Sequence, residues 1–272
     1  LGSLVRCARG CHDAAVAYGA PFISGKDSLN NEYMGADGCK HAIPGTLLIS
    51  ALGIVPDVRR TVTMDLKAPG DWLYVVGVTA DELGGSAYYR RHGIPGGKVP
   101  QPNFGLEDEH LVQDPQPAVP VPGHTPESRL DLFRALHQAI MSGLVRACHD
   151  CSEGGIAVAA AEMALAGGLG LEICLADVPR TAKAGRDDVI AFSESLGRLV
   201  VEVSPEHANA FETYLAGLPF ARVGRVRGDE QVRMIGLGGQ PVVDTDLDAL
   251  NRAWRGHLNA MQETQCVSKV PK

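Results

Sequence analysis

The feature that most constrains the fold is a polar segment between two apolar ones, at residues 144–165. An apolar lead-in, Leu144 to Cys148, runs into polar residues, then two glycines and an alanine-rich run. This order predicts a β-strand, a turn and the N-terminus of a helix. A helix N-terminus has unpaired backbone N–H groups, and Gly154 and Gly155 would let a ligand approach them. The segment is therefore a candidate anion-binding site.

Two carboxylates and a hydroxyl lie in the same turn, from Asp150, Glu153 and Ser152. Carboxylates repel a bare phosphate but hold one that arrives with Mg²⁺. Asp150 is therefore the candidate metal ligand, and Ser152 is a candidate nucleotide contact. The competing interpretation is that Ser152 and Glu153 only cap the helix while Asp150 shapes the turn.

A second polar loop, residues 24–32, follows a short apolar stretch, Pro21 to Ile23, that is predicted to be a strand. Its candidate ligand-binding residues are Gly25, Lys26, Asp27, Ser28 and Asn31. Surface loops are polar in general, so this loop alone is a weak indication of function. A lysine here attracts phosphoryl oxygens, but the glycine pattern of a Walker A loop is absent.

A third polar segment, Phe192 to Arg198, has two interpretations. In the first interpretation, Ser193 and Glu194 face a ligand, and Arg198 binds the phosphate or carboxylate of that ligand. Alternatively, Gly197 caps a helix end and Arg198 forms a surface ion pair. The residues alone leave both open.

Together, the first two loops in this order and with this spacing resemble the phosphoribosylformylglycinamidine synthase family of the AIR-synthase-like superfamily. The resemblance continues through Pro44 to Gly53, Leu83 to Ser86 and Phe192 to Arg198. It covers nearly the whole chain but only the carboxy-terminal part of that enzyme. The implied function is that of an ATP-dependent ligase of purine biosynthesis, which amidates formylglycinamide ribonucleotide with ATP and Mg²⁺ and releases ADP. The family's catalytic histidine would lie in an absent amino-terminal half, so the isolated chain is expected to be inactive.

The resemblance also implies site residues and partners. Nucleotide or substrate would contact Gly25, Lys26, Asp27, Ser28, Asn31, Ser152, Gly154, Gly155, Ser193, Glu194 and Arg198, with Asp150 as metal ligand. Some family members carry a Mg²⁺-binding asparagine where Lys26 stands, which puts metal binding by Lys26 in doubt. Expected partners are a glutaminase subunit, a small bridging subunit, the missing half of the synthetase and, as a further candidate, a second copy of this chain.

The fold class expected from alternating strand and helix patterns is α/β (α+β) with a mixed sheet. By resemblance, residues 1–62 are the end of a ferredoxin-like domain, residues 63–238 an AIR-synthase C-terminal-like domain, and residues 239–272 a helix and tail. A helix over residues 4–18 and a strand over Thr46 to Leu52 are predicted in the first part. The proline- and glycine-rich residues 93–126 predict a long exposed loop, and the last helix is expected to dock through Trp254.

Composition excludes several classes of protein. A net charge of −7 without a basic run argues against nucleic-acid binding. No apolar run reaches membrane-spanning length, and seven cysteines without a secretory signal fit the reducing cytoplasm. Two alternatives remain: another ATP-dependent enzyme of the superfamily, or a non-catalytic nucleotide-binding or scaffolding module.

Overall fold

The structure, a computed structural model, describes residues 2–101 and 128–265. The chain divides into two compact units, Leu1–Arg59 and Arg60–Lys272. Most of the segment predicted to be a long exposed loop, residues 93–126, lies outside the described residues. No helix in the described ranges is long and apolar enough to cross a membrane.

The first unit contains one helix and one hairpin. Helix α1, Gly2–Tyr18, confirms the helix expected from apolar spacing. Strands β1, Glu32–Met34, and β2, Lys40–Ala42, pair in antiparallel fashion around the glycine-containing turn.

The two other strands predicted in this unit are wrong, because Pro21 to Ile23 and Thr46 to Leu52 are irregular. A strand persists only where a neighbour accepts and donates its backbone hydrogen bonds. Within residues 2–59 only β1 and β2 pair with each other. The side chains of Leu48 and Leu52 are consequently 88% and 94% exposed.

The second unit is built on a seven-stranded sheet with the order β4-β6-β3-β7-β5-β8-β9. Its strands are β3 Trp72–Val76, β4 Ala147–Asp150, β5 Gly170–Cys174, β6 Leu199–Val203, β7 Phe220–Arg227, β8 Gln231–Ile235 and β9 Pro241–Asp246. Strands β5 and β8 run parallel, and the other neighbours are antiparallel. The mixed sheet expected from the sequence is confirmed, while β9 was not predicted.

Six helices follow in the described part of the second unit: α2 Ala87–His92, α3 Ser128–Met141, α4 Gly155–Gly167, α5 Asp187–Phe192, α6 Ala208–Tyr214 and α7 Leu247–Gln265. Helix α2 begins at Ala87 because Ser86 is its N-cap, whose side chain accepts a hydrogen bond from the N–H of Tyr89 at 3.2 Å.

Apolar residues cover both faces of the sheet. On one face Leu73 and Val75 of β3 pack with α4 through Ile156 and Met163. On the other face Tyr74 packs with α3 and α6. Strand alternation sends neighbouring residues of β3 to opposite faces, which places α4 and the loop before it on the first face.

Helix α7 docks differently from the prediction. Leu247 and Leu250 pack against the core on the α4 side, whereas Trp254 is 61% exposed. The helix follows β9 without a linker. Only its first turns therefore lie over the core, and the expectation of a tryptophan-mediated contact is wrong. The side chain of Leu258 lies outside the described residues.

Candidate functional site

The predicted strand, turn and helix are present as β4, residues 151–154 and α4. Asp150 is the last residue of β4 rather than part of the turn. The turn is tied to the start of β6 because Cys151 N donates to the carbonyl of Arg198 at 2.9 Å. The local fold thus fixes where the Asp150 and Ser152 side chains emerge.

Gly154 and Gly155 serve packing rather than ligand access. Both are buried and have positive φ, 79° and 64°. A Cβ at Gly155 would lie 2.4 Å from the carbonyl oxygen of Ser193, so only glycine lets α4 approach the segment after α5. The room that the sequence assigned to a ligand at Gly155 is occupied by this backbone.

The side chain of Glu194, a residue that follows α5, lies at the N-terminal end of α4. Its Oε1 accepts hydrogen bonds from Gly154 N at 2.9 Å and from Ala87 N, in the first turn of α2, at 2.8 Å. A carboxylate is well placed at a helix N-terminus, where the dipole is positive. The Gly154 N–H that the sequence offered to a phosphate therefore has a partner within the protein.

Hydrogen bonds from buried side chains hold the segment after α5 in place. Ser193 Oγ donates to Ala80 O at 2.8 Å, and both Ser193 and Arg198 are buried. The Arg198 guanidinium donates to Ser195 O at 3.0 Å, to Thr79 Oγ1 at 2.8 Å and to Ser193 O. Arg198 is only 1% exposed, so it is not in a surface ion pair. Its hydrogen bonds shape the pocket wall.

A pocket of about 440 Å³ brings four of the candidates together. Its walls come from the end of β4 and from the segment before β6, and they include Asp150, Ser152, Glu194 and Arg198. This volume lies within the range of small-molecule sites. Gly154, Gly155 and Ser193 support these walls from behind.

Asp150 presents an accessible, ionised carboxylate. Its side chain is 67% exposed. The Ser152 hydroxyl that donates to it is the main reason why the pKa of Asp150 lies below its usual range. No group of three or more His, Cys, Asp or Glu side chains within the described ranges is placed to hold a metal ion. Mg²⁺ often uses one or two protein carboxylates together with phosphates and waters. The residues therefore fit a Mg²⁺ ion that arrives with a nucleotide.

The second polar loop, residues 24–32, belongs to the first unit. Gly25, Lys26, Asp27, Ser28 and Asn31 are all exposed. The ammonium group of Lys26 donates to Ser28 Oγ, and the carbonyl of Asn31 accepts from Ile43 N at 3.0 Å beside the hairpin. Apart from Gly25 and its two chain neighbours, no heavy atom of the described residues lies within 4 Å of where a Gly25 Cβ would be. The loop is open to a ligand.

Sequence reasoning missed two contacts around this pocket. His149 Nε2 lies 2.8 Å from Glu162 Oε2 on α4. Arg90 of α2 lies 3.8 Å from Glu153 in the turn. Glu162 falls two helical turns after Gly155, so helical periodicity offered a signal for the first contact. Nothing in the sequence linked α2 to the turn.

The chain is similar to known proteins over most of its length. It is 31% identical to the phosphoribosylformylglycinamidine synthase subunit PurL of Alkaliphilus metalliredigens over 94% of this chain and 30% of the relative. It is 34% identical to the PurL subunit of Synechocystis sp. over 86% of this chain and 28% of the relative. The chain thus spans about 30% of the length of these relatives.

Solved structures of similar proteins have the fold described above for this chain. The structure of T. maritima PurL complexed with FGAR matches 71% of this chain and 30% of that one, with a TM-score of 0.52 and 22% identity. T. maritima PurL complexed with ATP matches 71% of this chain and 27% of that one, with a TM-score of 0.51 and 20% identity. The family described as AIR synthase related protein, C-terminal domain, matches residues 68–236, which include β3 to β8 and the pocket. The chain therefore belongs to the AIR synthase related protein family and carries its C-terminal domain.

Proposed function

We propose that this chain is the carboxy-terminal part of a PurL-type phosphoribosylformylglycinamidine synthase. The reaction would be the ATP-dependent amidation of formylglycinamide ribonucleotide in purine biosynthesis, a C–N ligase reaction. Support comes from the PurL relatives, which match nearly the whole chain at 31% to 34% identity. Similarity to T. maritima PurL, whose structures include complexes with ATP and FGAR, supports the assignment at the level of the fold.

The observation that carries the proposal is the pocket in which an ionised, exposed Asp150 stands beside Ser152. Phosphoryl transfer depends mainly on positioning and on electrostatic stabilisation of phosphate oxygens. In our proposal Asp150 binds Mg²⁺ that bridges to nucleotide phosphates, and Ser152 contacts the same phosphates. Glu194, Ser193, Arg198, Gly154 and Gly155 hold the pocket in shape. The loop with Gly25, Lys26, Asp27, Ser28 and Asn31 contacts nucleotide or substrate.

We also propose partners for the chain and an expectation for its activity. A PurLQS structure is known from T. maritima, and we propose a glutaminase subunit, a small bridging subunit and the amino-terminal part of the synthetase as partners. The chain alone is expected to form no amidated product, because catalytic groups would come from the amino-terminal part. A cytoplasmic location fits the six cysteines of the described ranges, all of which are free thiols.

A substitution at Asp150 tests the proposal. Asp150→Asn keeps the size of the side chain but removes the charge that would hold Mg²⁺. We expect the affinity for ADP in the presence of Mg²⁺ to fall about tenfold, or about 1.4 kcal/mol, while the affinity without Mg²⁺ changes little. Calorimetric titration of the chain with ADP, with Mg²⁺ or with EDTA, measures both.

The matched control is Asp131→Asn, which removes an exposed carboxylate on α3 that pairs with Arg134 at 3.3 Å. It should leave both affinities unchanged. Equal Mg²⁺-dependent affinity in the Asp150 variant and the wild type would remove Asp150 from the site. If Asp150 only shapes the turn, the variant should instead lose about 1 kcal/mol of stability.

A further inference from the structure

His149 connects the end of β4 to helix α4. Ala147 and Cys148 of β4 pack into the cores on opposite faces of the sheet. The two-residue period of a strand therefore places His149 on the same face as Ala147, towards α4. There its Nε2 lies 2.8 Å from Glu162 Oε2. The His149 side chain is 19% exposed and that of Glu162 is 28% exposed, so water has limited access to this pair.

The Glu162 contact fixes the orientation of the imidazole ring. The 2.8 Å separation of His149 Nε2 and Glu162 Oε2 is that of a hydrogen bond. Glu162 itself is held by α4, whose Ile156, Ala160 and Met163 are fully buried. The ring is thus anchored to a rigid helix and cannot rotate freely.

The anchored ring contacts Asp150 on its other edge. His149 Nδ1 lies 3.4 Å from Asp150 Oδ1, and the Ser152 hydroxyl donates to Oδ2. Each oxygen of the Asp150 carboxylate therefore has a neighbour that limits its rotation, although the group stays largely exposed. Groups behind metal ligands commonly orient them in this way.

We propose that His149 and Glu162 are positioning residues that hold the Asp150 carboxylate in the orientation that receives Mg²⁺ with its nucleotide. The inference rests on the proposed function of Asp150 and extends it to residues that do not line the pocket. A purely structural pair would instead fasten β4 to α4 without any effect on metal binding.

The test uses the ratio of ADP affinities with and without Mg²⁺, measured by calorimetric titration of the whole chain. His149→Phe keeps the ring volume without nitrogen atoms, and Glu162→Ala releases the ring. Both should lower the ratio by about tenfold, the usual effect of losing such support, with affinity in EDTA unchanged. Glu162→Gln keeps a hydrogen-bonding group opposite Nε2 of His149 and should keep the ratio of the wild type.

Glu153→Gln is the matched control, because Glu153 lies in the same turn but is 81% exposed and, among the residues that the structure describes, pairs with Arg90 at 3.8 Å. Its ratio should equal that of the wild type.

Melting temperatures of all variants separate loss of stability from loss of metal binding. Variants with lowered melting temperature but an unchanged ratio would overturn the inference and leave the role of Asp150 intact. A wild-type chain without any Mg²⁺ effect would overturn the proposed function and this inference with it.

Discussion

Glu202 of β6 is a fully buried carboxylate with an acidic neighbour. Its oxygens accept hydrogen bonds from Lys67 N at 3.0 and 2.9 Å and from Ala68 N at 3.0 Å. Asp71 is 3% exposed and accepts from Arg146 at 2.9 Å. Burial, and secondarily the nearby Asp71, raise the pKa of Glu202 to about 7. Burial beside a second carboxylate therefore favours the protonated form of Glu202.

Stability should consequently fall as pH rises. The pKa of Glu202 is higher in the folded chain than the value of 4.5 expected when unfolded. Its contribution is complete below pH 4.5 and is lost as pH rises through 7, up to about 3 kcal/mol. Glu202→Gln mimics the protonated form and should lose less stability between pH 5 and pH 8. Urea denaturation at both pH values measures this.

Glu206→Gln serves as control for that experiment, since Glu206 lies 3.6 Å from the same Arg146 but is 69% exposed. It should keep the pH dependence of the wild type. If Glu202→Gln also keeps it, Glu202 is ionised throughout and the pKa assignment is wrong.

Two glycines with the same backbone conformation allow a matched comparison. Gly155 and Gly168 both have φ of 64°. A Cβ at Gly155 would meet three backbone atoms within 3.0 Å, whereas nothing lies within 4 Å at Gly168. We expect Gly168→Ala to cost about 1 kcal/mol from backbone strain alone. Gly155→Ala should cost about 2–4 kcal/mol because steric overlap is added. Chemical denaturation measures both, and equal losses would show that the α4 contact is not tight.

At the scale of single residues, the sequence identified the residue types of the candidate site but not their hydrogen-bond partners. Asp150 and Ser152 were predicted to act together, and the structure places them in hydrogen-bond contact. Glu194 was predicted to face a ligand, yet it accepts from two backbone N–H groups in helices that are far apart in sequence. Such contacts depend on tertiary packing, which no local pattern encodes.

Among the elements, strands with strong apolar patterns were predictable. The apolar run Leu199 to Val203 coincides with strand β6, and the run Trp72 to Gly77 extends one residue beyond β3. Helix α3 and strand β9 were missed. Strand β9 is short and half polar, so its pattern is weak, whereas α3 carries Leu132, Leu136 and Ala139 at helical spacing and could have been predicted. The strand predicted over Thr46 to Leu52 is absent because an apolar pattern does not supply a pairing partner.

Helix α7 provides a test of how an element docks. Leu250 is packed against the core and Trp254 is exposed. We expect Leu250→Ala to lower the free energy of unfolding by about 2 kcal/mol. Trp254→Ala should change it by less than about 0.5 kcal/mol. Urea denaturation followed by circular dichroism measures both. A larger loss for Trp254→Ala would mean that the tryptophan is buried in solution.

At the scale of the whole molecule, the first unit exposes many large apolar side chains. Leu48, Leu52 and Ile54 are 88%, 94% and 95% exposed. Apolar surface of this extent marks an interaction surface or a site of aggregation. We expect the chain to associate with itself or with the amino-terminal part of the synthetase. Light scattering over a range of concentrations, together with binding of a hydrophobic dye, measures self-association.

A variant with Leu48→Lys, Leu52→Lys and Ile54→Lys should associate less and bind less dye. Its control carries Thr46→Lys and Ser50→Lys, which add charge at exposed polar positions of the same segment without removing apolar surface. A wild-type chain that stays monomeric at high concentration and binds no dye contradicts this prediction.

The order of strands in the large sheet has a consequence for synthesis on the ribosome. Strand β3 pairs on both sides with strands β6 and β7, which begin about 120 and 140 residues after it ends. At typical translation rates the ribosome needs on the order of 10 s to add that length of chain. During this interval the apolar residues Trp72 to Val76 have neither β6 nor β7 to pair with. The nascent chain must therefore keep a strand-forming segment from pairing elsewhere until β6 and β7 emerge from the ribosome, and chaperones can bind the segment during this period.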